Sequence, residues 1–332
     1  MTIYLISLAT TGVVFAIIAL GLHVRWGLAG EFDLSLFAIA AIGGYVYAVL
    51  ALPPAHLPPP ATYILGLKLP FLVSLAGAII VSGLLSAMIG AVALRKLRDD
   101  YFGITTVATA LILALFIGQY IPLFDGYAGL GGIPQPLANL PGWGANGGYF
   151  LGVCVVALIV VYFILERLNV SPFGRALRSV REDDVASQAF GRNAYALKLK
   201  AYVLGGCVAG LGGALLAAYL TAFNSYAWTP TETFLLYAAI FVGGTGNIRG
   251  AILGTFFVEV VIQEATRYIP AVAGNSNFPD AARLVVIGLL IVAVLWLRPR
   301  GLFPEPRARD KGPGSTAEVA TTAVPTNGAP HD

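Results

Sequence analysis

The amino-acid sequence predicts an all-α polytopic membrane protein with about nine transmembrane helices, and it is compatible with eight to ten. Hydrophobic residues make up 58% of the 332 residues and charged residues only 11%, whereas soluble domains carry about 25% charged residues. Several apolar runs exceed the roughly 20 residues that a helix needs to cross a bilayer. The 39 glycines exceed the average usage of about 7%, which indicates close helix packing and locally broken helices.

Apolar runs follow one another along the whole chain up to residue 297. No basic residue precedes the first run, so we expect an uncleaved helix rather than a signal peptide, followed by a short connector, His23–Asp33. The seventh run has only about ten residues, too few to cross upright, which predicts a broken or re-entrant helix. The runs are Thr2–Leu22, Leu34–Leu52, Pro70–Leu94, Tyr101–Ile121, Tyr149–Leu168, Ala201–Leu220, Thr233–Val242, Ala251–Tyr268 and Ala282–Leu297.

The distribution of lysine and arginine predicts the orientation, because basic loops stay in the cytoplasm. Basic residues follow the third run, fill the segment after the fifth and follow the ninth, whereas Pro122–Gly148 and Thr221–Thr231 contain none. The N-terminus is therefore expected outside the cell and the C-terminus inside. Residues 1–303 form the predicted membrane domain, and residues 304–332 a disordered cytoplasmic tail.

The segment Ser171–Gly191, hereafter the polar island, is the longest polar stretch between two apolar runs. Its ends carry helix signals, since serine caps free amides, proline suits the first helical position and glycine closes a helix. Asp183 or Asp184 can cap a second short helix. We therefore predict short helices that contact a partner in the aqueous phase outside the membrane. The residues expected to make this contact are Ser171, Pro172, Gly174, Arg175, Arg178, Arg181, Glu182, Asp183, Asp184 and Gly191.

Several kinds of chemistry find no support in the sequence. The chain has no G-x-x-x-x-G-K-[ST] segment for a nucleotide phosphate, and its three histidines are too scattered for a metal site. It has neither a nucleophile elbow nor a convincing acid/base pair, so we do not expect an enzyme. The basic residues lie at span ends, which suits membrane topology better than nucleic-acid binding.

Acidic residues within the apolar runs are few. Glu31 and Asp33 precede the second run, and Glu259 and Glu264 lie in the eighth. Glu264 stands three residues before Arg267, a spacing that favours a local ion pair. Glu259 either faces a polar pathway or bonds a neighbouring helix. Carriers driven by protons or sodium usually need intramembrane acidic residues, so this scarcity counts against an ion-coupled carrier.

Glycines mark two further features. Small residues four apart in the sixth run predict a close helix contact. The glycine run that begins at Gly243 predicts a helix break, which is either part of a substrate path or a simple turn. The glycines concerned are Gly206, Gly210, Gly213, Gly243, Gly244, Gly246, Gly250 and Gly254.

Five motifs together resemble the inner-membrane permeases of branched-chain amino acid ABC importers, the LivM/LivH family. The similarity covers most of residues 12–303, is closer to the LivM branch, and departs from the family at GEFDLSLFAIA, Gly30–Ala40. The motifs are DYFGITTVATALI (Asp100–Ile112), GLGGIP (Gly129–Pro134), the region SPFGRALRSVREDDVASQAFG with the run after it, FVGGTGNIRGAILG (Phe241–Gly254) and RPRGLF (Arg298–Phe303).

The resemblance implies a permease subunit of the bacterial inner membrane that works by alternating access. Arg175–Gly191 would dock on an ATPase, although the arginines could instead only hold the membrane surface. Implied partners are a second homologous permease, forming a heterodimer, two ATPases that bind the ATP and magnesium, an extracytoplasmic solute-binding protein and lipid. This chain itself would hold no cofactor. The expected pathway residues are Glu31, Asp33, Thr105, Thr106, Thr109 and Thr245.

Other functions remain open on the sequence. Related permeases serve urea, short amides and other small polar solutes, so the departure near the second run leaves the substrate undecided. A secondary carrier or channel would transport without ATP. A membrane enzyme or a structural assembly subunit would need a chemical or assembly site that the sequence does not reveal.

Overall fold

The computed structural model describes residues 2–54, 66–96, 99–136, 148–224, 228, 230–262, 264–265, 278–297 and 301–303. It confirms the all-α class. The helices are α1 (Thr2–Leu22), α2 (Leu36–Ala51), α3 (Phe71–Lys96), α4 (Asp99–Gln119), α5 (Ile121–Phe124), α6 (Gly148–Val170), α7 (Pro172–Glu182), α8 (Asp184–Ala189), α9 (Ala194–Leu220), α10 (Pro230–Gly243), α11 (Ile248–Thr255) and α12 (Phe278–Leu297). Two short strands, β1 (Leu130–Gly131) and β2 (Ala222–Phe223), pair antiparallel.

Five helices of the described part of the chain are long and apolar enough to cross a membrane. The bent pair α10 and α11 makes a sixth if it counts as one span, and α2 is a shorter apolar helix. The predicted number of nine is therefore not reached within the described ranges. The expected tail, residues 304–332, lies outside them, as does Arg267, the expected partner of Glu264. Within the described residues, Glu264 accepts a hydrogen bond from the Tyr4 hydroxyl.

Two predicted boundaries are wrong. The expected connector His23–Asp33 begins as a π-helical continuation of α1 over His23–Leu28. That continuation is almost wholly buried, and buried backbone groups need partners within the protein. Helix α9 begins seven residues before the predicted sixth run, because the Asn193 side chain accepts from the amide of Ala196 and caps the helix there.

Helix α9 is the centre of the bundle and packs against α1, α2 and α3. The contact depends on glycine. A Cβ atom on Gly213 would overlap the carbonyl oxygen of Ala40 in α2, and one on Gly210 would overlap Ser82 in α3. A Cβ on Gly206 would overlap Ser86, also in α3. These small residues let the backbones approach closely.

We expect Gly213→Ala to destabilise the bundle by about 1–3 kcal/mol, the usual cost of overpacking. The measurement is the thermal unfolding of the detergent-purified protein. Gly152→Ala in α6 is the matched control, because nothing lies within 4 Å of a Cβ there. Both changes gain the same helix propensity, so equal midpoints for the two variants would contradict the close contact.

The glycine run separates α10 from α11, which meet at 120°. Gly244 and Gly246 take φ values of 117° and 88°, which only glycine adopts readily. Asn247 then caps α11 by accepting from two backbone amides. The other glycines of this region bring the two helices together, since Cβ atoms on Gly250 and Gly254 would crowd the backbone of α10.

Candidate functional site

The polar island folds as two short capped helices, α7 and α8. The Ser171 side chain accepts from the amide of Gly174, Pro172 takes the first position, and Asp183 accepts from the amide of Ala186 to cap α8. Gly191 ends the island at φ 76°. The structure thus confirms the predicted helix signals.

The island's arginines donate to backbone carbonyls of their own chain. Arg175 donates to Val170 at 2.9 Å and Arg178 to Asn169 at 3.0 Å, which ties both to the end of α6. Arg181 donates to the carbonyl of Gly27, in the π-helical end of α1. Arg175 is exposed, whereas Arg178 and Arg181 are partly buried. The three side chains therefore fix α7 against the bundle.

Two large apolar side chains of the island are strongly exposed. Val185 is 78% exposed and Phe190 is 86% exposed, on α8 and at its end. Glu182, Asp183 and Gln188 beside them are also exposed. An exposed apolar pair rimmed by polar groups is typical of a protein contact. The sequence interpretation relied on charge and overlooked this pair.

Lys198 connects the island to the segment between α1 and α2. Its Nζ lies 2.8 Å from Glu31 Oε1 and 3.2 Å from Asp184 Oδ2. The Glu31 side chain is 4% exposed and that of Lys198 12%. Two carboxylates from different elements therefore share one ammonium, and the pair with Glu31 is largely buried, where ion pairs are screened little. Glu31, expected on the substrate pathway, lies in this bridge.

Asp33 forms a fully buried ion pair with Arg25, both side chains being 0% exposed. Arg25 also donates to the carbonyl of Tyr202 at 3.1 Å and to Ser86 Oγ at 2.9 Å, and its guanidinium carbon lies 3.7 Å from the centre of the Tyr202 ring. Asp33 accepts from the amide and hydroxyl of Ser35 at 2.9 and 2.6 Å. These bonds satisfy the charges that burial would otherwise penalise.

The chain around Asp33 is held on its other side by α4 and α10. The amide of Asp33 donates to the Tyr237 hydroxyl at 2.8 Å, and that hydroxyl donates to the Asp33 carbonyl at 3.1 Å. The amide of Leu34 donates to Thr106 at 3.1 Å. Thr233 donates to the carbonyl of Leu34 at 3.3 Å. Side chains from three helices, α4, α9 and α10, thus converge on one irregular segment.

The remaining expected pathway residues do not join this cluster. Thr105 and Thr109 donate to carbonyls one turn earlier in α4, and Thr245 lies partly buried in the turn between α10 and α11. No group of three or more potential metal ligands occurs in the described residues. The sequence interpretation missed Arg25, Lys198, Tyr202 and Tyr237. For Arg25 a signal was available, because Arg25 and Asp33 carry opposite charges and stand eight residues apart between two apolar runs.

Comparisons with known proteins agree on one family. Residues 4–295 match the family model described as branched-chain amino acid transport system / permease component. The probable branched-chain amino acid transport permease protein LivM of Methanocaldococcus jannaschii is 30% identical, with 69% of this chain and 68% of the relative covered. Salmonella typhimurium LivM is 28% identical, covering 92% and 71%, and its LivH is 24% identical, covering 90% and 93%. No solved structure matches the chain.

Proposed function

The chain belongs to the family of permease components of branched-chain amino acid transport systems, and we propose that it is a transmembrane permease subunit of an ATP-driven importer. Its solute would be a branched-chain amino acid, as in the names of its LivM and LivH relatives. Solute would cross the inner membrane by alternating access. The N-terminus would lie outside and the polar island inside.

The observation that carries this proposal is the path of bonds from the island into the bundle. Arg181 bonds the π-helical end of α1, and Lys198 bonds both α8 and Glu31. Glu31 stands two residues before the buried Asp33. A movement of α7 and α8 would therefore shift the segment on which three helices converge, which is how a coupling helix transmits motion.

Partners would supply what this chain lacks. Two ATPase subunits would bind ATP and magnesium, and the exposed Val185 and Phe190 would enter a groove on one of them. A second homologous permease would complete a heterodimer, in keeping with the existence of both LivM and LivH relatives. A solute-binding protein would deliver solute on the opposite face. Thr105, Thr106, Thr109 and Thr245 stay candidates for the pathway.

We expect leucine uptake into proteoliposomes only when the chain is reconstituted with its partner permease, both ATPases, the binding protein and ATP. Radiolabelled leucine inside the vesicles is the measurement. Uptake by this chain alone without ATP would identify a carrier or channel.

Phe190→Asp should prevent the ATPases from binding in a pull-down, while the variant chain still inserts in the membrane. Tyr195→Phe, which keeps the ring near the island, is the matched control. Phe163→Asp cannot serve as the control, because the Phe163 side chain faces outward from a span.

A further inference from the structure

A cavity of about 320 Å³ opens between α1, α2, α9 and the bent pair α10–α11. It lies far from the polar island, because α9 starts beside the island at Ala194 and reaches the cavity only with Leu216 and Leu220. Its volume is at the lower end of the range for ligand pockets, about 300–1,000 Å³. The cavity therefore suits a small solute.

One wall of the cavity is a continuous set of aromatic rings. The rings of Phe15 and Phe37 lie 5.7 Å apart, and those of Phe37 and Trp228 lie 4.8 Å apart. Phe223 continues the series at 4.5 Å from Trp228. Such a wall offers apolar surface for an aliphatic side chain, and ring faces that attract a cation.

The charged groups of the lining are both acidic. Glu232 lies in the first turn of α10. Glu259, which is 2% exposed, lies in the π-helical stretch Phe256–Ile262 that continues α11. No lysine or arginine is among the described lining residues. In these apolar surroundings carboxylates favour a cationic ligand group far more than a neutral one. Single π-helical turns in helices also occur frequently at functional sites.

We infer that this cavity is the resting site of the solute within this subunit. Glu259 and Glu232 receive an ammonium group, and Phe15, Phe37 and Trp228 surround an apolar side chain. The inference rests on the proposed function and narrows its solute. An amino acid with an apolar side chain suits both the aromatic wall and the two carboxylates, whereas urea and short amides carry no cation. Asn224 at the cavity supplies an amide for the solute carboxylate.

The cavity is also connected to the buried ion pair. The amide of Phe37 donates to Thr233 at 3.4 Å, next to Glu232. One turn further along α10, Tyr237 bonds the backbone of Asp33. A solute held by Glu232 and Phe37 thus contacts α10, which holds the segment around Asp33. Lys198 joins the island to the same segment at Glu31.

The test is leucine uptake by the complete importer in proteoliposomes at saturating binding protein and ATP. We expect Glu259→Gln and Glu232→Gln each to lower the uptake rate by at least about tenfold. Glu264→Gln, a neutralised carboxylate just beyond the same π-helical stretch but not in the cavity lining, should change it by less than about twofold. Equal rates in all three variants, with wild-type uptake intact, would overturn the inference while leaving the proposed function standing.

A second measurement does not depend on variants. On illumination, a diazirine analogue of leucine should label wild-type peptides that contain Phe37 or Trp228, and excess leucine but not urea should suppress the labelling. Labelling confined to other helices, or suppression by urea, would overturn the inference. Absence of any ATP-dependent leucine uptake by the wild-type importer would instead overturn the proposed function, and the inference with it.

Discussion

Arg25→Met should destabilise the folded protein by about 3–5 kcal/mol, because it leaves a buried carboxylate without its counter-charge. Both side chains of the Arg25–Asp33 pair are 0% exposed, so water cannot compensate the remaining charge. The expected result is a marked loss of monodisperse protein after detergent extraction. Fluorescence-detected size-exclusion chromatography with a thermal ramp measures it.

A double variant separates charge from shape. Arg25→Met combined with Asp33→Asn removes both charges and keeps an oxygen that accepts from Ser35, as Asp33 Oδ1 does at 2.9 Å. Replacing both partners of a buried pair by neutral groups is often close to neutral for stability. We therefore expect the double variant to recover most of the lost stability. A double variant as unstable as Arg25→Met would show that the guanidinium's contacts to Tyr202 and Ser86 matter more than the ion pair.

Features fixed by short-range chemistry were predictable from the sequence. The caps at Ser171 and Asp183 depend on residues three positions apart, and the break after Gly243 depends on a local glycine run. The α-helical class followed from the length of the apolar runs. The family followed from motifs along most of the chain.

Features that need distant partners were not predictable. The π-helical continuation of α1 contains Arg25, whose partners come from α3, α9 and the segment before α2. Hydropathy alone predicts that such a charged stretch is a connector between helices. The predicted sixth run, Ala201–Leu220, leaves out Lys198, because the neutralisation of this lysine by Glu31 is a tertiary contact. The exposure of Phe190 likewise depends on how α8 sits on the bundle.

The bridge through Lys198 should determine how efficiently ATP hydrolysis is converted into transport. We expect Lys198→Met to lower the amount of solute moved per ATP by about 5–150-fold, the range that corresponds to coupling free energies of about 1–3 kcal/mol. The reason is that the change removes both ion pairs, at 2.8 and 3.2 Å, that join α8 to Glu31. Uptake and phosphate release are measured together in proteoliposomes that contain the complete importer.

Three variants make this result specific to the bridge. Lys200→Met removes an exposed lysine two residues along the same helix and should leave the ratio unchanged. Lys198→Arg keeps a cation between the two carboxylates and should retain most of the coupling. Asp184→Asn removes only the outer pair, whose carboxylate is 41% exposed, so it should fold normally and lose part of the coupling. Equal transport ratios in Lys198→Met and Lys200→Met would mean that the motion of the island reaches the bundle by another route, through Arg181 and Gly27.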